Sequence, residues 1–97
     1  MSRLVFEFDA RKAASNLRKH AVSFSEAMTV FSDSFAQTFP DDLHSQEEDR
    51  YITIGLSSRQ RLIFLSHLET ESRIRIIGAR RANATERKAY EDLKTSS

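Results

Sequence analysis

The sequence predicts an α+β domain: one antiparallel sheet in meander order, with two helices ahead of the meander and one behind it. Three observations lead there. Apolar residues recur at every second position in four short stretches, and a fifth stretch is apolar on both faces, which marks strands. The last three of these are joined by loops of hairpin length, Ser57-Ser58-Arg59-Gln60 and Glu69-Thr70-Glu71-Ser72. Capping signals at Asp9, Ser23 and Asn83 each open a run with helical periodicity. The element order is β-α-α-β-β-β-β-α.

Residues 3–8, RLVFEF, place Leu4, Phe6 and Phe8 on one side of a strand. Asp9 then caps a helix over 10–20, ARKAASNLRKH. Ala10, Ala13, Ala14, Leu17 and Ala21 share one arc of it, and Lys12, Asn16 and Lys19 the opposite one. The small alanines predict close packing of their arc on the sheet. Ser23-Phe24-Ser25-Glu26 matches a capping box, and the stripe behind it is Phe24, Ala27, Met28 and Phe31. Residues 35–39, FAQTF, read as a strand that Pro40 stops.

The acidic stretch 41–49 reads as a loop. In 50–56, RYITIGL, Ile52, Ile54 and Leu56 share a face, while 61–68, RLIFLSHL, is apolar on both faces and so central. In RIRIIGAR, Arg73 and Arg75 face one way and Ile74 and Ile76 the other. The last helix carries the stripe Ala82, Glu86, Ala89, Tyr90 and Leu93. Residues 1–97 form a single domain, ordered from about residue 3 to 93, with a short flexible tail.

Composition narrows the function. The 97 residues include no Cys, which excludes disulfides and thiolate metal sites and fits a reducing cytoplasm. No apolar run approaches a membrane span and the N-terminus lacks a signal-peptide core, so a cytoplasmic protein with no membrane partner is predicted. Net charge is only +1, yet the charges are segregated. Residues 41–49 hold five acidic groups and no Lys or Arg; between Arg73 and Lys88 stand six basic residues and one acidic one, Glu86.

Two cations on one strand face, Arg73 and Arg75, form either a solvated surface or a polar floor for an anion. Arg80 and Arg81 lie just beyond, and converging guanidiniums suit phosphate. Glu86 falls within the apolar stripe of its helix, so it needs a partner: Arg75, Arg80 or, through a capping box, the Asn83 amide. Tyr90 is a core aromatic or a functional phenol. His20, beside Lys19, either meets the last carbonyls of its helix or acts as an acid–base group flanked by cations. His67, in an apolar strand, reads as a satisfied core residue.

Metal ligation finds little support: the Asp41, Asp42, His44, Glu47, Glu48 cluster matches neither an EF-hand loop nor H-E-x-x-H. Two glycines, Gly55 and Gly78, exclude a Walker loop and a Rossmann fingerprint, and no G-x-S-x-G occurs. No metal and no cofactor are expected.

Two separated motifs carry a family resemblance. The first is Phe8-Asp9, Lys12, Asn16, Lys19-His20, then Val22, Phe24 and Glu26-Ala27. The second is Arg75-Ile76-Ile77-Gly78-Ala79-Arg80-Arg81-Ala82, then Glu86 and Tyr90. Asp33, Arg50 and Gly55 fall between them in the matching order. From about Phe6 to Tyr90 the chain resembles the BrnT toxins of type II toxin–antitoxin systems. It departs at Ala21, where the family usually has glycine after Lys-His, which suggests a different helix cap or a small strain, and at Gly78, often serine in relatives.

The resemblance implies a RelE-like fold and an endoribonuclease that blocks translation. It implies neutralisation by a BrnA-type antitoxin with a ribbon-helix-helix domain, so that operator DNA is reached only through that antitoxin. A metal-free mechanism uses the 2′-hydroxyl of RNA as nucleophile and needs a base, a cation and an acid. Arg75 and Arg80 are expected to stabilise charge, His20, Lys19 and Tyr90 to move protons, and Glu86 to orient an arginine. Lys12, Arg73 and Arg81 are expected to hold flanking phosphates of the RNA. The competing reading is a non-catalytic module whose basic face docks an antitoxin within a transcriptional autorepressor complex.

Overall fold

Short loops dictate the middle of the sheet. In the computed structural model, which describes residues 5–43 and 49–96, β3 (Arg50–Leu56), β4 (Leu62–Glu69) and β5 (Arg73–Arg81) follow one another as antiparallel neighbours. The turn between β3 and β4 closes through Ser57 N–H to Arg61 C=O, with Gln60 at φ 64°. The other strands are β1 (Val5–Phe8) and β2 (Gln37–Pro40), and the five lie in the order β1-β5-β4-β3-β2.

The sheet is therefore mixed rather than wholly antiparallel. β2 to β5 form the meander, but β1 pairs with β5 in parallel, Val5 opposite Arg73 and Phe8 opposite Ile76. Period-two alternation fixes which side chains share a face and carries no information on a partner's direction. β2 begins at Gln37, later than predicted, because Asp33 accepts from the Phe35 amide and holds 33–36 in a turn. Pro40 belongs to the strand; an edge strand tolerates a missing donor.

The helices are α1 (Ala10–His20), α2 (Phe24–Met28), which runs into a 3-10 turn over Thr29–Ser32, and α3 (Ala84–Ser96). α2 and the 3-10 turn cover one face of the sheet, burying Phe24, Ala27 and Val30 against Ile63, Leu65, Ile74 and Ile76. α3 covers part of the other, where Tyr90 packs with Ile54 and Leu62. Its stripe is only half buried: Glu86 and Tyr90 face the sheet while Ala89 and Leu93 stay exposed. α3 also extends through Ser96, past the tail expected from Lys94, and the Thr95 and Ser96 hydroxyls bond back to Asp92 C=O.

α1 departs furthest from expectation. Its predicted apolar arc is exposed at Ala10, Ala14, Leu17 and Ala21, and the residue it buries is Asn16. The reason is that α1 meets a strand edge, whose unpaired backbone groups need a polar partner. Ala21 closes α1 in the left-handed conformation (φ 56°), with its N–H on Leu17 C=O, so the alanine accepts the cap geometry that favours glycine.

Glu26 makes only half of the expected capping box: its amide bonds to Ser23 Oγ, but its buried carboxylate turns to Ser57 and Arg61. No helix among the described residues is long and apolar enough to cross a membrane. His44, Glu47 and Glu48 lie outside the described residues.

Candidate active site

β1 pairs with β5 only as far as Ile76, which leaves the following stretch of the β5 edge without a strand. Asn16 fills the gap. Its Oδ1 accepts from Ala79 N–H (3.1 Å) and its Nδ2 donates to Ala79 C=O (2.8 Å), the two bonds a neighbouring strand would supply. Nδ2 also donates to Val22 C=O at 3.0 Å. The bonds lock α1 on the edge, and Lys12 and His20, one helical turn to either side of Asn16, share its face.

Two adjoining hollows result. One, of about 200 Å³, is lined by Asn16, His20, Phe64, Ser66, Gly78, Ala79 and Arg80. The other, of about 280 Å³, is lined by Lys12, Ser15, Asn16, Lys19, His20 and Ile77. Asn16 and His20 belong to both, so His20 stands at their junction. Neither lining includes a carboxylate.

The arginines come partly matched. Arg80 donates to both carboxylate oxygens of Glu86, at 2.9 and 2.8 Å, and its guanidinium lies 4.0 Å from the Phe64 ring centroid. The Arg80 bonds hold the Glu86 carboxyl below the usual range. Glu86 completes the capping box as well, accepting from Asn83 N–H while its own amide bonds to Asn83 Oδ1. Arg73 and Arg75 share Glu7 on β1, at 3.0 and 3.6 Å.

The structure thus brings together His20, Lys19, Lys12 and Arg80, with Glu86 behind Arg80 and Arg73 and Arg75 further along the same sheet face. Arg81 is not among them. It sits opposite Ile63, so it leaves the strand on the other face from Arg80. Tyr90 is also elsewhere: it is 4% exposed, and its hydroxyl donates to Asp33 Oδ2 at 2.6 Å. Burial, and then Asp33, push that phenol up to about 12.

Asp33 also accepts from Leu56 N–H, so it ties the end of β3 to α3. Burial works to raise its carboxyl, yet the bonds from Leu56, Tyr90 and Phe35 hold it below the usual range. Sequence reasoning matched Asp33 to a family position without a role, and missed the inward use of Asn16 and the Ser66–Gly78 floor. An isolated polar residue on a helix flank gives no sign that it faces a strand edge.

A family model for the ribonuclease toxin BrnT of type II toxin–antitoxin systems matches residues 8–86, the span that holds α1, the sheet and Glu86. The chain belongs to the BrnT toxin family. Membership places a ribonuclease activity, an RNA substrate and an antitoxin partner with this fold. The structure is similar to that of the Brucella abortus ribonuclease toxin BrnT, with a TM-score of 0.62 at 21% identity, over 86% of this chain and 99% of that one. At the sequence level no curated protein gives a significant match.

Proposed function

We propose that this BrnT-family chain is a metal-independent endoribonuclease in which the 2′-hydroxyl of the substrate attacks the adjacent phosphate, and that RNA cleavage inhibits translation in the cytoplasm. The observation that carries this reading is the placing of His20 and Arg80 in the walls of one hollow, with Lys12 and Lys19 in the next. His20, exposed and at the junction, moves the proton, with Lys19 beside it. Arg80, aimed by Glu86, meets the charge that develops on the phosphorane, and Arg75 adds to the field. Lys12 and Arg73 hold flanking phosphates, and Arg81 contacts RNA only where the strand wraps the sheet end. Tyr90 has no part in proton transfer, because Asp33 already holds its hydroxyl. A divalent cation would meet cationic walls without a carboxylate.

The test is cleavage of naked RNA by the pure protein. Cleavage that survives EDTA, leaves 2′,3′-cyclic phosphate ends and stops when the scissile nucleotide is deoxyribose supports the reading. Loss on chelation, or 5′-phosphate ends, overturns it.

The antitoxin is of the BrnA type in this reading, with a ribbon-helix-helix domain that alone contacts operator DNA. It covers the cationic face with acidic and aromatic side chains. Co-expression with the adjacent reading frame should yield a stable complex that does not cleave RNA.

A further inference from the structure

We propose that the hollow between Arg80 and His20 is a subsite for one nucleobase, and that Gly78 and Ser66 set which base it accepts. The proposal rests on the cleavage reading above and adds the part of the substrate that reading leaves out.

A polynucleotide alternates a strongly hydrated phosphate with a flat, mostly apolar ring. The two hollows differ in the same way. Lys12, Lys19 and His20 wall the larger one and suit the phosphate. The smaller one has Phe64, Gly78 and Ala79 among its walls, with Ser66 as its uncharged hydroxyl. The Arg80 guanidinium carbon sits 4.0 Å over the Phe64 ring centroid while its side chain stays 37% exposed, so the side turned away from the ring is open to stack on a base, as arginines do in RNA-binding proteins. Glu86 fixes that plane bidentately.

Gly78 is the second clue. Its φ is not positive, so the backbone does not require glycine. A Cβ there would find only Asn16 Oδ1, at 3.8 Å, so close packing does not require it either. What the missing side chain leaves is room in the hollow. Ser66 stands directly opposite on β4, and its hydroxyl makes no hydrogen bond to the protein among the described residues. It is free to read a base edge as donor or acceptor. With His20 at the junction, a base seated here would place its own ribose beside the proton carrier.

The experiment uses the whole chain on a single-stranded RNA pool of random sequence, with cleavage ends mapped. Wild type should favour some bases at one nucleotide beside the scissile phosphate. Gly78→Val, which fills the hollow, should shift that preference away from purines by about 10-fold, the scale of one lost stacking contact. Ser66→Ala should change the ranking of bases of similar size. Both variants should keep the wild-type melting temperature; if Gly78→Val does not fold, Gly78→Ala replaces it. No base preference in wild type, or an unchanged preference in both variants, overturns the subsite.

A second readout separates this from failure of the reaction. An uncleavable deoxy oligonucleotide carrying 2-aminopurine should brighten with wild type, as the base leaves the stack of its neighbours for the hollow, and not with Gly78→Val, even if no RNA is cut. An unchanged fluorescence with wild type sinks the subsite whether or not RNA is cut.

Discussion

Arg75 and Arg80 stand on the same face of the sheet although they are five positions apart, an odd step. Strict alternation would put them on opposite faces. The register of β5 against β4 shifts at Ile77: His67 pairs with Ile76 and Ser66 with Gly78, so Ile77 has no partner across the ladder. Arg75 then lies opposite Leu68 and Arg80 opposite Phe64, on one side. The same bulge sends Arg81 to the other side, and it lies where β1 ends and α1 takes over the edge.

Arg80 and Arg73 should therefore behave differently. Arg80→Ala should cost on the order of 10²-fold in kcat, because a cation placed against developing charge acts mainly in the transition state. Arg73→Ala should chiefly raise KM and flatten its salt dependence. Steady-state kinetics at two salt concentrations check both. Equal, mild effects would favour a binding role for the whole face.

Glu86 serves Arg80 and the first turn of α3 at once. Glu86→Ala should lower stability by about 1–3 kcal/mol, since it strips the partner from a half-buried guanidinium. Its folded pKa is depressed, so its contribution is present above the unfolded carboxyl value and lost as pH falls through the lower folded one. Urea unfolding at neutral and acid pH measures both effects. An unchanged midpoint and unchanged activity would make Glu86 a solvated helix residue.

Much of the fold was legible because local rules decided it. Ile74 and Ile76 are buried while Arg73 is exposed and Arg75 half-buried, as the alternation requires. Ser23 and Asn83 cap where their chemistry places them. What stayed hidden were relations between distant segments: the parallel entry of β1, the bulge at Ile77, and the docking of α1 on an edge. In the site, pairing of Glu86 with an arginine could be foreseen from a carboxylate in an apolar stripe. The capture of Tyr90 by Asp33 could not, because 57 positions separate them.

That capture gives a prediction of its own. Tyr90→Phe should lose about 0.5–1.5 kcal/mol, the worth of one hydrogen bond, since Asp33 keeps its two backbone donors. Cleavage should stay within about twofold of wild type, because no transition-state contact is removed. A large fall in kcat at an unchanged melting temperature would restore Tyr90 as a proton carrier.

His67 should make the protein acid-sensitive. It is fully buried, its Nε2 is 2.7 Å from Thr53 Oγ1, and burial pushes its pKa down to about 4. Its Nδ1 lies 3.3 Å from Glu69 but is not aligned to bond to it. The unfolded chain takes up this proton near pH ~6.5, which the folded chain refuses until about 4. Stability is therefore full above the unfolded value and falls as pH drops through that window, by roughly 3 kcal/mol. Glu69, raised by burial, works the opposite way as pH rises through its folded value. His67→Gln should flatten the acid slope in urea unfolding. A wild-type stability that is flat across the window would refute it.

Asn16 should control both stability and rate, because among the described residues it is the side chain that stands in for a strand at Ala79. Asn16→Ala leaves the Ala79 N–H, the Ala79 C=O and the Val22 C=O without this partner, a loss of about 1–3 kcal/mol. Freed from the edge, α1 no longer holds His20 against the hollow, so kcat should fall more than KM rises. Asn16→Asp separates the two effects. It can still accept from Ala79 N–H, but it sets a buried charge against two carbonyl oxygens, so at neutral pH it should be less stable than Asn16→Ala. Lowering the pH protonates the aspartate and restores a donor, so its stability should recover in acid while that of Asn16→Ala does not. Thermal melts of both variants across pH, paired with single-turnover cleavage, decide the matter. If Asn16→Asp matches wild type in both, the edge does not depend on the amide.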